Sequence, residues 1–128
     1  MMKQNKKNKK ILVVDDALFS RRLLGNTMND IGYSEIYFAE NEIEALKMAR
    51  ELTPDLITLD ISMAGMNGIE MISKILKASS KSKIIMVSGG ATPHNIVKSI
   101  KSGAVDFIAK PFNKMQVEEM VQQHIGIN

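Results

Sequence analysis

Four short apolar runs recur along this chain, and each stops abruptly at a polar side chain. Ile11-Leu12-Val13-Val14 runs into Asp15-Asp16, and Leu56-Ile57-Thr58-Leu59 into Asp60. Ile84-Ile85-Met86-Val87 runs into Ser88-Gly89, and Phe107-Ile108-Ala109 into Lys110-Pro111. Unbroken runs of β-favouring residues suit strands covered on both faces, which belong to parallel sheets flanked by helices. In such a sheet every carboxyl end lies on one edge. The polar ends then collect into a single acidic site with one hydroxyl and one ammonium. The Leu56–Asp60 run, bounded by Pro54-Asp55 and by a glycine-containing loop, reads as the central strand and presents Asp60 at its carboxyl edge.

Between these runs the spacing is helical. Asp16 or Ser20 is placed to cap a first helix with Leu24, Thr27, Met28 and Ile31 on one face and Gly32 at its end. Gly25 within it costs about 1 kcal/mol relative to alanine. Glu35–Ala39 reads as a further strand, nearer an edge because charge flanks it. Asn41 caps the next helix, with Ile43, Leu46, Ala49 and Leu52 inward and Pro54 beyond its end. After Asp60 come a loop to Gly68 and a helix with Ile69, Ile72 and Leu76 as its stripe; a polar turn from Ser79 to Lys83 follows. Thr92-Pro93 opens a helix with Ile96, Val97 and Ile100 inward, and Gly103-Ala104 ends it. The last helix runs from about Asn113 to Ile125, with Val117, Met120 and Val121 apolar. Five strands alternating with five helices predict a doubly wound α/β fold, a three-layer sandwich with right-handed crossovers.

At 128 residues the chain fits one domain. It has no cysteine, which excludes disulfides and thiolate metal sites. No apolar run approaches the roughly 20 residues of a membrane span, and the lysine-rich start lacks the apolar segment of a signal peptide. A cytoplasmic protein with no membrane partner is expected. The net charge of +3 is local: five lysines lie in the first ten residues, and without them 12 basic side chains face 14 acidic ones. Residues 1–10 therefore read as a disordered basic tail that aids solubility, residues 11–128 as the folded domain, and nucleic-acid binding is not expected.

Asp15, Asp16 and Asp60, gathered at strand ends, would repel one another and raise each other's pKa unless a cation intervened. Hard carboxylate oxygens with room for water suit Mg²⁺ or Mn²⁺. With a metal present the edge suits a phosphoryl group on Asp60, one oxygen held by the metal, a second by Lys110 and a third by the Ser88 hydroxyl. Taken singly, each of these residues is an ordinary cap, turn or surface residue. Their convergence from four separate strand ends is what points to chemistry.

In order along the chain, Val14-Asp15-Asp16 with Arg21-Arg22, Pro54-Asp55-Leu56, Asp60-Ile61-Ser62-Met63 with Met66-Asn67-Gly68, Ser88-Gly89, and Gly103 to Phe112 form a specific set. The chain resembles a response-regulator receiver domain of two-component signalling, most nearly the single-domain, CheY-like kind of chemotaxis, over residues 11 to about 125. The resemblance implies the flavodoxin-like strand order 2-1-3-4-5. It implies that Asp60 accepts a phosphoryl group from a histidine kinase, and that Asp16, Asp60 and the Ser62 backbone carbonyl bind Mg²⁺, with Asp15 reaching it through water. Ser88 and Phe107 would be the switch pair, Lys110 the phosphoryl contact, and Lys110-Pro111 a cis peptide. Phosphorylation would draw Ser88 inward and let Phe107 follow, remodelling the face of the fourth helix, fifth strand and fifth helix where a protein target binds. Ser62 and Gly90 stand where the family tunes hydrolysis; a short hydroxyl at the one and no side chain at the other imply slow self-dephosphorylation with a partner phosphatase. Three departures leave the reactive groups in place: Ala64 where proline is usual, Ser88 for threonine and Phe107 for tyrosine.

A flavin or dinucleotide domain would need a glycine- or hydroxyl-rich cradle where Asp15-Asp16 stands. A hydrolase with an aspartyl nucleophile would keep an acid two residues on, where this chain has Ser62. A receiver-like scaffold without phosphorylation sits poorly with a full set of reactive groups. With nothing after Asn128, output is expected through protein contact by a monomer that is not a classical enzyme. A phosphorelay intermediate or a phosphate sink fits the same residues as a chemotaxis or flagellar-motor regulator.

Overall fold

The structure, a computed structural model, describes residues 8–60, 68–90 and 92–126. Strands β1 (Lys10–Val14), β2 (Glu35–Ala39), β3 (Leu56–Asp60), β4 (Lys83–Ser88) and β5 (Asp106–Ala109) alternate with five helices. These are α1 (Leu18–Asp30), α2 (Glu42–Leu52), α3 (Gly68–Ala78), α4 (Pro93–Ser102) and α5 (Lys114–Ile125). Neighbouring strands pair in parallel, in the order β2-β1-β3-β4-β5. This is the doubly wound, flavodoxin-like order expected, with β3 at the centre and Glu35–Ala39 at an edge.

Strand periodicity divides the core into two layers. Leu12, Val14, Ile57, Leu59, Ile84 and Met86 pack with Ala45 and Ala49 of α2 and with Met71, Ile72 and Ile75 of α3. On the other face Ile11, Val13, Leu56, Ile85 and Val87 pack with Leu24 and Met28 of α1 and with Val117, Val121 and Ile125 of α5. Every residue of β3 is buried, and each such aliphatic side chain contributes about 1.5–3 kcal/mol by leaving water. Registry then lines up the carboxyl ends, pairing Val14 with Leu59, Asp60 with Val87 and Ser88 with Ala109. Among the described residues no helix is long and apolar enough to cross a membrane.

Several local expectations need correction. Helix α1 starts at Leu18 with Ala17 at its N-cap and no side-chain cap, so neither Asp16 nor Ser20 caps it. Asp15 Oδ1 instead accepts the Ala17 N–H at 2.9 Å, satisfying one donor from just before the helix. In α2, Ile43 is 81% exposed, because the helix approaches the sheet through the small residues Ala45 and Ala49 and turns its first-turn isoleucine outward. In α4, Val97 and Ile100 face solvent while Ser99 is buried. The helix leans on its neighbours through that small residue, whose hydroxyl donates to the Asn95 carbonyl at 2.8 Å. Strand β1 begins one residue before the apolar run, since the Lys10 N–H donates to Asp55 Oδ2 at 2.8 Å. The rest of the basic tail, residues 1–7, lies outside the described residues.

Other expectations hold. Asn41 caps α2 as expected, and α4 and α5 start where expected, with Thr92 and Asn113 as their N-caps, the latter in a full capping box with Gln116. Gly25 is tolerated in α1 because a Cβ there would meet the Phe38 ring at 2.6 Å, so the glycine lets β2 pack close. Gly103 closes α4 at φ 123°, and a Cβ there would lie 2.5 Å from Leu76 Cδ1. Gly103→Ala is expected to lower the unfolding free energy by about 1–3 kcal/mol, through the left-handed backbone and the crowding of α3. A fall in the urea midpoint at constant m-value would register it.

Candidate functional site at the carboxyl edge of the sheet

The strand ends bring together most of the residues that the sequence singles out. Asp15 and Asp60 are only 5% and 6% exposed, and Ser88 1%. The Lys110 Nζ lies 3.0 Å from Asp60 Oδ2 and 3.3 Å from Asp15 Oδ2, with the Ser20 hydroxyl at 3.4 Å. Lys110 is itself placed by β5, since its backbone N–H donates to the Ser88 carbonyl at 2.9 Å. The Lys110-Pro111 peptide is cis. Asp16, next to Asp15, is exposed. Ser62 and Ala64 lie outside the described residues.

By strand alternation Ser88 and Phe107 lie on the other face of the sheet from the carboxylates. Ser88 Oγ accepts the Gly90 N–H at 3.2 Å. Phe107 pairs in register with Met86, two residues before Ser88 on β4, so both side chains share the face that packs against α2 and α3. Asp60 alternates with Leu59, which belongs to that same layer, and so faces the α1 and α5 side. Beside the carboxylates a groove of about 320 Å³ is lined by Phe19, Leu23, Leu24 and Phe112, with Asp15 and Lys110 at its polar end.

The electrostatics follow from burial. Burial pushes the Asp15 carboxyl above its ordinary value of 3.8; the Ala17 N–H opposes this, the Asp60 charge adds to it, and Lys110 draws it down again. For Lys110 burial alone acts downward, but the hydrogen bond to Asp60 and the attraction of Asp60 and Asp15 outweigh it and hold the ammonium above 10.5. One ammonium against two buried carboxylates, with a third carboxylate next in sequence, leaves the edge negative. A hard divalent cation fits that surplus and those oxygen donors. Among the described residues no group of three His, Cys, Asp or Glu side chains forms a ready-made cage. A cation here would keep water in its shell, as Mg²⁺ does.

Two neighbours of the site escape sequence reasoning. Ser20 reads there as a helix cap, and Arg21 only as part of a motif, yet Arg21 Nη1 donates to the Asp15 carbonyl at 2.8 Å. A helical offset of about one turn from the acidic pair was the available signal.

Residues 11–122 match the family model of the response regulator receiver domain. The chain is 40% identical over 114 residues to the chemotaxis protein CheY of Listeria monocytogenes, covering 89% of this chain and 96% of that one. Among solved structures it resembles a CheX–CheY–BeF₃–Mg²⁺ complex from Borrelia burgdorferi, at 28% identity and a TM-score of 0.84 over 90% of this chain and 87% of that one. It also resembles a response regulator from Burkholderia pseudomallei with a phosphorylated aspartic acid and a calcium ion, at 27% identity and a TM-score of 0.80 over 91% of this chain and 72% of that one.

The raised pKa of Asp15 gives a stability test in chelated buffer. The folded protein holds this proton more tightly than the unfolded chain, so the group favours folding while protonated. That contribution is lost as pH rises through the native pKa. Asp15→Asn is expected to raise the metal-free thermal midpoint at pH 7, and the advantage should shrink as the pH falls toward 3.8. Midpoints of both proteins measured across pH 3.5–7 decide it.

Proposed function

The chain belongs to the response regulator receiver family, and on that premise we propose that it is a phosphorylation-activated switch in which Asp60 takes a phosphoryl group from a histidine kinase. The observation that carries this reading is the shared contact of Lys110 with Asp60 and Asp15, at 3.0 and 3.3 Å, in a buried edge with surplus negative charge. An Asp60 carboxylate oxygen attacks phosphorus as the phosphorus–nitrogen bond to the donor imidazole breaks, and the nitrogen keeps the electron pair. Asp15, Asp16, Asp60 and the Ser62 carbonyl are the groups that would hold Mg²⁺ or Mn²⁺. When bound, the cation supplies charge neutralisation at the phosphoryl oxygens. Lys110 passes its hydrogen bond from Asp60 to a phosphoryl oxygen without leaving its place.

Ser88 then exchanges its present role as acceptor from Gly90 for a donor role toward a phosphoryl oxygen, and Phe107 moves into the space it leaves. This shifts the population between two packings of the α4-β5-α5 face. Val97 and Ile100 already stand exposed on α4, and a protein target docks there. The Listeria relative is a chemotaxis protein, which favours chemotaxis as the pathway. The Borrelia complex pairs a CheY with CheX, which favours a protein partner here too; that a partner phosphatase resets the signal rests on the small residues Ser62 and Gly90. The domain works as a monomer in the cytoplasm and assists its own phosphorylation and dephosphorylation. Residues 11–128 make up this receiver, and the basic tail of residues 1–10 keeps it soluble.

Asp60→Asn is expected to abolish acid-labile phosphate incorporation from a kinase or a small phosphodonor; full labelling of the variant would remove Asp60 from its assigned role. For the lifetime of the signal, orientation of the attacking water outweighs its access. A Cβ at Gly90 would meet nothing within 4 Å, so a longer side chain fits there. Ser62→Asn combined with Gly90→Glu should shorten the phosphoaspartate half-life. A half-life that is unchanged or longer would mean that access limits hydrolysis.

A further inference from the structure

Arg21 lies in the first turn of α1, yet its guanidinium reaches back to the loop before the helix. Nη1 donates to the backbone carbonyl of Asp15 at 2.8 Å, while Nη2 pairs with Glu40 at 3.4 Å. Only 12% of the Arg21 side chain is exposed, against 56% of Glu40. The carbonyl contact is thus the sheltered one, and the ion pair is largely screened by solvent. Glu40 is fixed in turn, its backbone N–H donating to Glu44 Oε1 at 2.9 Å. The Asp15 N–H donates to the Ala39 carbonyl at 3.1 Å. These contacts tie the loop after β1 to the loop after β2 through one arginine.

The peptide that Arg21 holds by its oxygen joins Asp15 to Asp16. A guanidinium bonded to that carbonyl opposes rotation of the planar peptide, and so biases the direction in which the chain enters Asp16. A simple ion pair with Glu40 would need none of this. We propose that Arg21 is a positioning residue that sets how tightly the acidic pair takes a divalent cation, touching neither the cation nor the phosphoryl group. The proposal rests on the reading above, in which Asp15, Asp16 and Asp60 hold the metal.

Two effects of Arg21 oppose each other, and their signs separate them. As a positive charge beside a cation site, it weakens binding by repulsion, so its removal alone would tighten the site. As an anchor for a ligand-bearing peptide it strengthens binding, and groups that orient metal ligands are typically worth about 10–100-fold in affinity. Solvent around the exposed end of the guanidinium screens much of that repulsion, while the carbonyl bond is sheltered from water. Positioning therefore outweighs repulsion, and loss of Arg21 weakens the site.

The test uses the full chain and Mn²⁺ as the probe, titrated into wild type, Arg21→Met, Arg21→Lys and Glu40→Gln, with chelated thermal midpoints measured alongside. Arg21→Met is expected to bind Mn²⁺ about tenfold more weakly than wild type. Arg21→Lys should fall between them, since an ammonium can reach the carbonyl without gripping the peptide plane. Glu40→Gln, which leaves the carbonyl bond intact, should stay near wild type. With a small phosphodonor, the Mn²⁺ concentration for half-maximal labelling should rise by the same factor while the plateau rate holds. Equal or tighter binding by Arg21→Met would overturn the proposal, as would a lower plateau with unchanged metal affinity. Should Arg21→Met fail to fold, Arg21→Lys decides: weaker binding supports the proposal, and wild-type affinity overturns it. Wild type that takes up no Mn²⁺ would instead overturn the reading of the acidic cluster, and this proposal with it.

Discussion

Lys110 lies 3.0 Å from Asp60 and 3.3 Å from Asp15, and at a sheet edge where those carboxylates are 6% and 5% exposed its ammonium opposes their repulsion. Two carboxylates and one lysine do not balance in charge, and the mostly apolar strands behind them carry no charged side chain among their buried residues to make up the difference. The parallel sheet creates the problem by bringing every carboxyl end to one edge, and the apolar core fixes it there. The cost falls on stability, as the raised pKa of Asp15 shows in its direction. What results is an edge whose surplus negative charge and oxygen donors suit a hard cation.

The parts of the fold that were legible in the sequence are those where burial leaves one solution. Central strands buried on both faces must be continuous apolar runs, so β1, β3 and β4 announce themselves with their final polar residues. Since the polar residues sit at strand ends and the order of strands is constrained, the convergence of Asp15, Asp60 and Lys110 follows with few free choices. Helix starts were legible for a similar reason: Asn41 was readable as a cap, and Thr92 and Asn113, readable as helix starts, likewise each accept a backbone N–H of the first turn.

Helix faces were less legible, because spacing identifies an apolar stripe without saying which flank of it meets the protein. In α2 and α4 the fully buried contacts are made by alanine or serine, while Leu46 packs partly buried and Ile43, Val97 and Ile100 turn outward. Ile43 and Val97 satisfy the helical period and still end at 81% and 51% exposure. A close approach selects small residues, and a hydrophobicity pattern gives small residues little weight. The start of α1 was missed on other grounds. Asp15 can serve both the Ala17 N–H and Lys110 through its two carboxylate oxygens, a double duty that capping preferences do not anticipate.

The division of the site between the two faces of the sheet bears on how a chemical event at Asp60 could reach a partner surface. Asp60 and the carboxylate cluster face the α1 and α5 layer, while Ser88 and Phe107 belong to the layer on the other side. Between them lies the end of β4, where the Ser88 carbonyl accepts from the Lys110 N–H at 2.9 Å and its hydroxyl accepts from Gly90 at 3.2 Å. A group added to Asp60 cannot push on Phe107 through the core, because the strands there are close-packed and stiff. It can act around the strand ends, where Ser88 is one residue from a glycine pair and free of side-chain crowding at Gly90. On the proposed reading, a small hydroxyl at that corner would link the faces: large enough to follow a phosphoryl oxygen, and short enough that its departure would leave room for the Phe107 ring.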